Sequence, residues 1–272
     1  MTDLAVIMSI YHNDKLEYVK QSVQSILTQT YSYFIFFIAL DGPVSTEIKT
    51  YVTNIEDSRV KLYKIEENGG LARALNFLLE IVLKNPEYKF IARMDADDIS
   101  LPKRFENQHN FLLANSEISC IGTWYQEIDE SDNYLSNQKL PVTHDEIKKF
   151  FLKRSPLAHP SVVFRREMIE KAGFYPTDTF KQEDSVFWSN ALNKGLIFAN
   201  IPEILIKFRI DRNFYRRRSG IKFGFYYIKS RFRINKVLKA PFYIYLSSFG
   251  FGLVRMMPSI FLRWFYKKFR EQ

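Results

Sequence analysis

The first hundred residues alternate apolar runs with amphipathic stretches at a rhythm that leaves few architectures open. Leu4 to Tyr11 is almost continuously apolar, as a strand buried on both faces must be. Leu16, Val19, Val23, Ile26 and Leu27 follow at helical spacing behind Asn13 and Asp14, either of which can cap the helix. Phe34 to Leu40 is a second apolar strand, ending at Asp41-Gly42-Pro43, and Val60 to Ile65 makes a third. Asn68-Gly69-Gly70 opens a helix with Leu71, Leu75, Leu78, Leu79 and Val82 on one face, and Asn85-Pro86 stops it. Tyr88 to Met94 reads as a fourth strand. Strands alternating with helices imply right-handed crossovers and a parallel sheet. The 46% apolar content of the 272 residues fills such a core.

The fourth strand ends in Asp95, Asp97 and Asp98, and Ser100-Leu101-Pro102 then breaks the chain. Carboxylates this close raise one another's pKa unless a cation sits between them. Hard divalent ions take carboxylate oxygens, and magnesium typically combines one or two carboxylates with phosphate oxygens. Ligands of open α/β sheets bind beyond the carboxyl ends of the strands, where these acids fall. A solvated acidic turn capping the helix that starts near Pro102 is the plainer alternative. Asp41, ending the second strand, is placed to accept from the N–H edge of a pyrimidine or from a ribose hydroxyl, or to serve as a turn residue. Tyr11 is either a stacking partner for a base or a core aromatic. Arg73 lies in the first turn of a helix that follows two glycines, where the dipole suits a diphosphate. Gly-x-Gly-x-x-Gly is absent, which disfavours a nicotinamide or flavin enzyme.

The second half is less regular. It reads as a helix from Pro102 to Leu113, a strand from Ile118 to Tyr125 and a polar loop from Glu127 to Asn137. A short helix, Asp145 to Phe151, precedes a strand-like Ser161 to Phe164. A helix from Glu183 to Asn193 leads to two short strands, Leu196 to Ile201 and Ile204 to Phe208. Glu183-Asp184 is a helix start favoured by the dipole, or a functional pair. His159, between Ala158 and Pro160, is an acceptor-side residue or a hydrogen-bonded loop residue. The single cysteine, Cys120, excludes an internal disulfide framework and fits a reducing compartment, and the amino terminus does not read as a signal peptide.

In order and spacing these segments resemble the inverting family-2 glycosyltransferases with the GT-A fold, particularly bacterial exopolysaccharide and O-antigen enzymes. The resemblance covers Leu4 to Arg212. It rests on Ser9-Ile10-Tyr11, Leu40-Asp41-Gly42, Asn68 through Asn76, Asp95 through Arg104, His159-Pro160-Ser161 and Gln182-Glu183-Asp184. It implies an α/β, Rossmann-like nucleotide-diphospho-sugar transferase in residues 1–212, with a mixed, mainly parallel central sheet. Ser9, Tyr11, Asp41, Arg73 and Asp95 would then bind the nucleotide-sugar donor, a UDP-sugar being favoured. Asp95 and Asp97 would hold Mn²⁺ or Mg²⁺, with Asp98 supporting the loop. Asp184 would be the general base that takes the proton of an acceptor hydroxyl, with Glu183 and His159 on the acceptor side. The implied acceptor is a lipid-linked or growing cell-surface polysaccharide. Phe208-Arg209-Ile210-Asp211-Arg212 departs from the family, which often carries a histidine shortly after the arginine. Either Asp211 supplies an oxygen ligand there or the metal site lacks that arm. A catalytically silent scaffold in a membrane biosynthetic complex and a nucleotidyltransferase are the alternatives.

The charge is lopsided. From Lys207 onward the chain carries 17 Lys and Arg against Asp211 and Glu271, whereas the first 206 residues carry 22 basic and 28 acidic residues. A basic tail on an acidic body points to an anionic surface. Within residues 213–272, Ile221, Phe225, Ile228 and Phe232 repeat at helical spacing beside Lys222, Lys229, Arg233 and Lys236. An uncharged run from Ala240 to Val254 follows, too short for a membrane span. The expectation is a basic amphipathic helical region, peripheral or monotopic at the cytoplasmic face of the inner membrane, with Tyr243, Tyr245, Trp264 and Tyr266 near the interface. Nucleic acid is not expected as a partner, since it has no use for the long hydrophobic run.

Overall fold

The computed structural model describes residues 2–258. Strands β1 (Leu4–Ile10), β2 (Phe34–Asp41), β3 (Val60–Ile65) and β4 (Phe90–Asp95) run parallel in the order β3-β2-β1-β4. Helices α1 (Leu16–Leu27), α2 (Thr46–Thr53) and α3 (Leu71–Val82) connect them. β1 is covered on both faces, and its pleat divides its side chains between two cores. Leu4, Val6, Met8 and Ile10 join α1 and α2, while Ala5 and Ile7 join α3. The chain leaves β1 for β2 on one side and reaches β4 on the other. The ends of β1 and β4 therefore border a topological switch point.

Beyond β4 come β5 (Ile99–Ser100), α4 (Arg104–Ala114), β6 (Ile118–Ile128), β7 (Tyr134–Gln138), α5 (His144–Phe151), β8 (Val163–Arg165), α6 (Glu167–Ala172), α7 (Glu183–Asn193) and β9 (Ile197–Arg209). The sheet continues β4-β8-β6-β9-β5, with β7 paired to β6. β8 runs antiparallel to both neighbours and β9 parallel to β6, giving the mixed, mainly parallel sheet that the resemblance implies.

Several segments depart from the sequence expectation for local reasons. α2 was not expected, because it buries only Ile48 and Val52; Ser45 Oγ caps it by accepting from the Ile48 N–H. The polar stretch after Glu127 is no loop throughout. It contains β7, an edge strand whose exposed faces carry no apolar alternation. The two strands expected around Pro202 are one, since β9 bulges there: Thr123 and Trp124 of β6 pair with Ile201 and Ile204, which leaves Pro202 and Glu203 out of register. Neither Asn13 nor Asp14 caps α1; Lys15 holds that position, with no side-chain bond.

Helices α8 (Ile221–Val237) and α9 (Phe242–Met256) follow. One face of α8 docks on the body. Ile234 enters the core shared with α7, and Arg231 donates to the carbonyls of Phe151 and Leu152 at 2.8 and 2.6 Å. The other side meets α9 at close range, where a Cβ on Gly252 would lie 2.1 Å from Ile228. Asn235 Nδ2 donates to Ser248 Oγ across this contact at 3.0 Å. The expected apolar stripe of α8 is thus divided. Ile228 and Phe232 meet α9, while Ile221 and Phe225 are exposed. Among the described residues no helix is long and apolar enough to cross a membrane. Trp264 and Tyr266 lie outside the described residues.

Candidate active site

The carboxyl ends of β1, β2 and β4 place most of the expected residues together. Ser9 lies beside Asp95 in the parallel register, and Ile10 beside Leu40, so Tyr11 and Asp41 emerge at neighbouring strand ends. The oxygens of Asp95, Asp97 and Asp98 lie within 4.8 Å of one another. Arg209, at the end of β9, fastens this loop from beneath: its backbone N–H donates to Asp98 Oδ1 and its Nε to the Asp97 carbonyl, both at 2.8 Å. Asp98 is buried, and its Oδ2 has no partner among the described residues. Burial and the neighbouring acids raise the pKa of both Asp97 and Asp98. Three hard oxygen donors, one of them a buried orphan, fit a divalent cation.

Arg93 is the residue that sequence reasoning passed over. On a strand, residues two apart share a face, so Arg93 and Asp95 both point toward the α3 and α7 side. Arg93 is 1% exposed and grips Asp95 with both terminal nitrogens. The same charge reaches Glu183 and Asp184, which open α7, and opposes the upward effect of burial on their pKa. Burial and Asp184 bring Glu183 to about 7, and Asp184 is raised as well. One buried cation therefore acts electrostatically on both the donor-side acids and the Glu-Asp pair. An arginine in an otherwise apolar strand, two residues from an aspartate, is the signal that marked it.

Asp14 is a second omission. It accepts from the Tyr11 N–H at 2.8 Å and feels Asp97 and Asp95. Burial, with the two acids adding to it, lifts it to about 8.

Three more of the expected residues lie outside the acidic triad. Asp41 is buried and its oxygens accept from Gly69 N, Gly70 N and Asn68 Nδ2 at 2.8 to 3.1 Å, so it shapes the loop that opens α3. Gly42 beside it has φ +79°, and a Cβ there would strike Asn68 N at 2.6 Å, so the turn requires glycine. Arg73 is exposed on the first turn of α3. His159 meets the Tyr175 hydroxyl at 3.0 Å and the Trp188 ring, and burial holds its pKa well below the ordinary range. The hydrogen bond expected of a loop residue is therefore present. Asp211 stands outside the acidic triad, paired with Arg217.

A family model described as Glycosyl transferase family 2 matches residues 5–173. The amylovoran biosynthesis glycosyltransferase AmsE of Erwinia amylovora is 30% identical, over 98% of this chain and 99% of that protein. The UDP-Gal:alpha-D-GlcNAc-diphosphoundecaprenol beta-1,3-galactosyltransferase of Escherichia coli is 29% identical, over 97% and 95% of the two chains. In fold the chain is similar to the mannosyltransferase PcManGT of Pyrobaculum calidifontis, solved with GDP-Man and Mn²⁺, with a TM-score of 0.64 at 14% identity. That likeness covers 99% of this chain and 81% of the other.

Proposed function

The chain belongs to glycosyl transferase family 2, and from that premise we propose that its crevice moves a sugar, with inversion, from a UDP-sugar to a hydroxyl of a lipid-linked or growing surface polysaccharide. It is a glycosyltransferase of polysaccharide biosynthesis. The observation that supports the finer reading is the line of charges from the Asp95-Asp97-Asp98 triad through Arg93 to Glu183-Asp184.

The two ends of that line suit the two halves of one displacement. Asp97 and Asp98, with Asp95 turned toward Arg93, would hold Mn²⁺ or Mg²⁺, which when bound offsets charge developing on the departing diphosphate. Tyr11 offers a ring to the base and Ser9 lines the floor beside Asp95. Asp184, at the start of α7, takes the proton of the acceptor hydroxyl while its oxygen attacks the anomeric carbon from the face opposite the leaving group. Arg93 has two tasks: it holds Asp95 in place and favours the ionised, proton-accepting form of Asp184. Glu183 flanks the base on the acceptor side.

We place the acceptor at a membrane surface, peripheral and on the cytoplasmic face. The support is α9, which leaves Phe242, Tyr243, Leu246 and Phe249 exposed, and its partner helix α8, whose Lys222, Lys229, Arg233 and Lys236 are exposed. An anionic bilayer matches both.

The test is transfer from UDP-sugars in Mn²⁺ to an alkyl-diphosphate-linked sugar. Asp184→Asn lowers kcat by about 10²- to 10⁴-fold, the worth of a general base, while UDP affinity stays unchanged. Asp97→Ala abolishes Mn²⁺-dependent UDP binding. Full transfer by both folded variants would refute the assignment.

A further inference from the structure

The crevice has a second wall of charge to which the sugar transfer assigns no role. Between β9 and α8 the chain forms a short helical turn, Arg216–Arg218. Instead of starting a solvent-facing basic tail, this turn folds back toward the crevice. Lys181 Nζ donates to the Arg217 carbonyl at 3.0 Å, and Lys181 lies two residues before Glu183. Arg217 pairs with Asp211, and its charge reaches Tyr11, Asp14 and Asp97. Arg218 lies flat on the Phe214 ring, 3.8 Å from its centroid, and its charge reaches Asp184. The geometry ties the three cations to both ends of the crevice: Asp211, the partner of Arg217, lies two residues after Arg209, which bonds Asp97 and Asp98, and Lys181 lies two residues before Glu183. Burial, with Arg218 and Arg217 adding to it, lowers the Lys181 pKa to about 8, the response of a cation among cations.

We propose that Lys181, Arg217 and Arg218 form a diphosphate-binding site, a proposal that rests on the sugar-transfer reading of the crevice. Two guanidinium forks and an ammonium match phosphate oxygens in charge and hydrogen-bond geometry. The diphosphate has two possible sources. One departs with the nucleoside, beside Asp97. The other joins an acceptor sugar to its lipid, and the turn enters α8 three residues later, next to the exposed apolar surface of α9.

Calorimetry on the full chain separates the sources with two probes: UDP in Mn²⁺, and decyl diphosphate with decyl monophosphate as its control. Removing one guanidinium, in Arg217→Gln or Arg218→Gln, weakens at least one diphosphate probe by about tenfold, the scale of one charge-assisted hydrogen bond. Arg218→Lys recovers part of that loss. A loss confined to UDP assigns the departing diphosphate, and a loss confined to the decyl diphosphate assigns the acceptor's. Loss of both means a shared site. Melting temperatures confirm that the variants fold. Arg212→Gln removes an exposed arginine from the same loop and leaves both affinities unchanged. Wild-type affinity for both probes in Arg217→Gln and Arg218→Gln overturns the proposal, as does an equal loss in Arg212→Gln. Failure of the wild-type chain to bind UDP at all would instead sink the sugar-transfer reading.

Discussion

β1 and α9 are both nearly unbroken apolar runs, and they end in opposite surroundings. Every apolar side chain of β1 is within 1% of complete burial. In α9, Phe242 is 75% exposed, Tyr243 65%, Leu246 58% and Phe249 47%. β1 has a strand on each edge and a helical layer on each face, so the chain itself covers every apolar atom. Among the described residues α9 packs on α8 and buries Ile244, Ser248 and Gly252. Small residues let two helices approach closely without burying the large side chains on the opposite face. Apolarity in β1 therefore specifies a fold. In α9 it specifies an exposed surface, the one on which the proposed membrane contact rests.

The sharpest way to break this contrast is to make the outer face of α9 polar. The triple change Phe242→Ser, Leu246→Ser, Phe249→Ser lowers partition onto anionic vesicles by about 10²- to 10³-fold. That is the expected loss if each side chain surrenders only part of the roughly 1.5–3 kcal/mol of full burial. Its melting temperature and its kcat toward a water-soluble acceptor stay at wild-type values. A large drop in melting temperature would show instead that the body covers this face, as it covers β1.

α8 stands between the two regimes, and Arg231 marks its inward side. Arg231 is 3% exposed and closes two carbonyls at the end of α5. Arg231→Ala leaves those buried acceptors unpaired and costs about 1–3 kcal/mol. Thermal melting reads the loss. If the face that docks on the body behaves like the sheet, stability falls while vesicle binding per folded molecule is unchanged. Unaltered melting would place α8 with α9, outside the cooperative body.

The same contrast explains what the sequence made legible. β1, β2, β3, α3 and β4 were readable because burial on both faces, or on one helical stripe, writes itself into local spacing. The acidic triad was readable because it ends a strand. β7 was not, since an edge strand needs no apolar alternation. Arg93 lay in plain view two residues from Asp95, but its link to Glu183 and Asp184 depends on how α7 packs, and no local pattern encodes that. The Arg216–Arg218 turn was read with the basic tail because composition is blind to direction. Only the fold pairs Arg217 with Asp211 and brings its carbonyl to Lys181, while Arg216 stays exposed. In the sequence Asp14 reads as a cap because caps and crevice acids have the same residue type.

The smallest effect concerns pH, and it separates the crevice from the helix pair once more. Burial raises Asp14 from 3.8 to about 8 and Glu183 from 4.5 to about 7. A carboxyl whose pKa is higher folded than unfolded favours the native state in its protonated form. That contribution is complete below the unfolded values and disappears as pH rises through the folded ones. Metal-free protein therefore melts at a lower temperature at pH 8.5 than at pH 5.5, by a few degrees, since a domain of this size shifts about 2–4 °C per kcal/mol. Asp14→Asn and Glu183→Gln each flatten the slope. Mn²⁺ restores stability at the alkaline end, because a cation that binds the ionised acids of the native state draws the equilibrium toward it. The proposed vesicle binding follows a different rule. Helices α8 and α9 contain no aspartate, glutamate or histidine, so partition is expected to be the same at pH 5.5 and pH 8.5. Parallel pH slopes for melting and for vesicle binding would mean that crevice and helix pair share one set of titrating groups, and the distinction between them would fall.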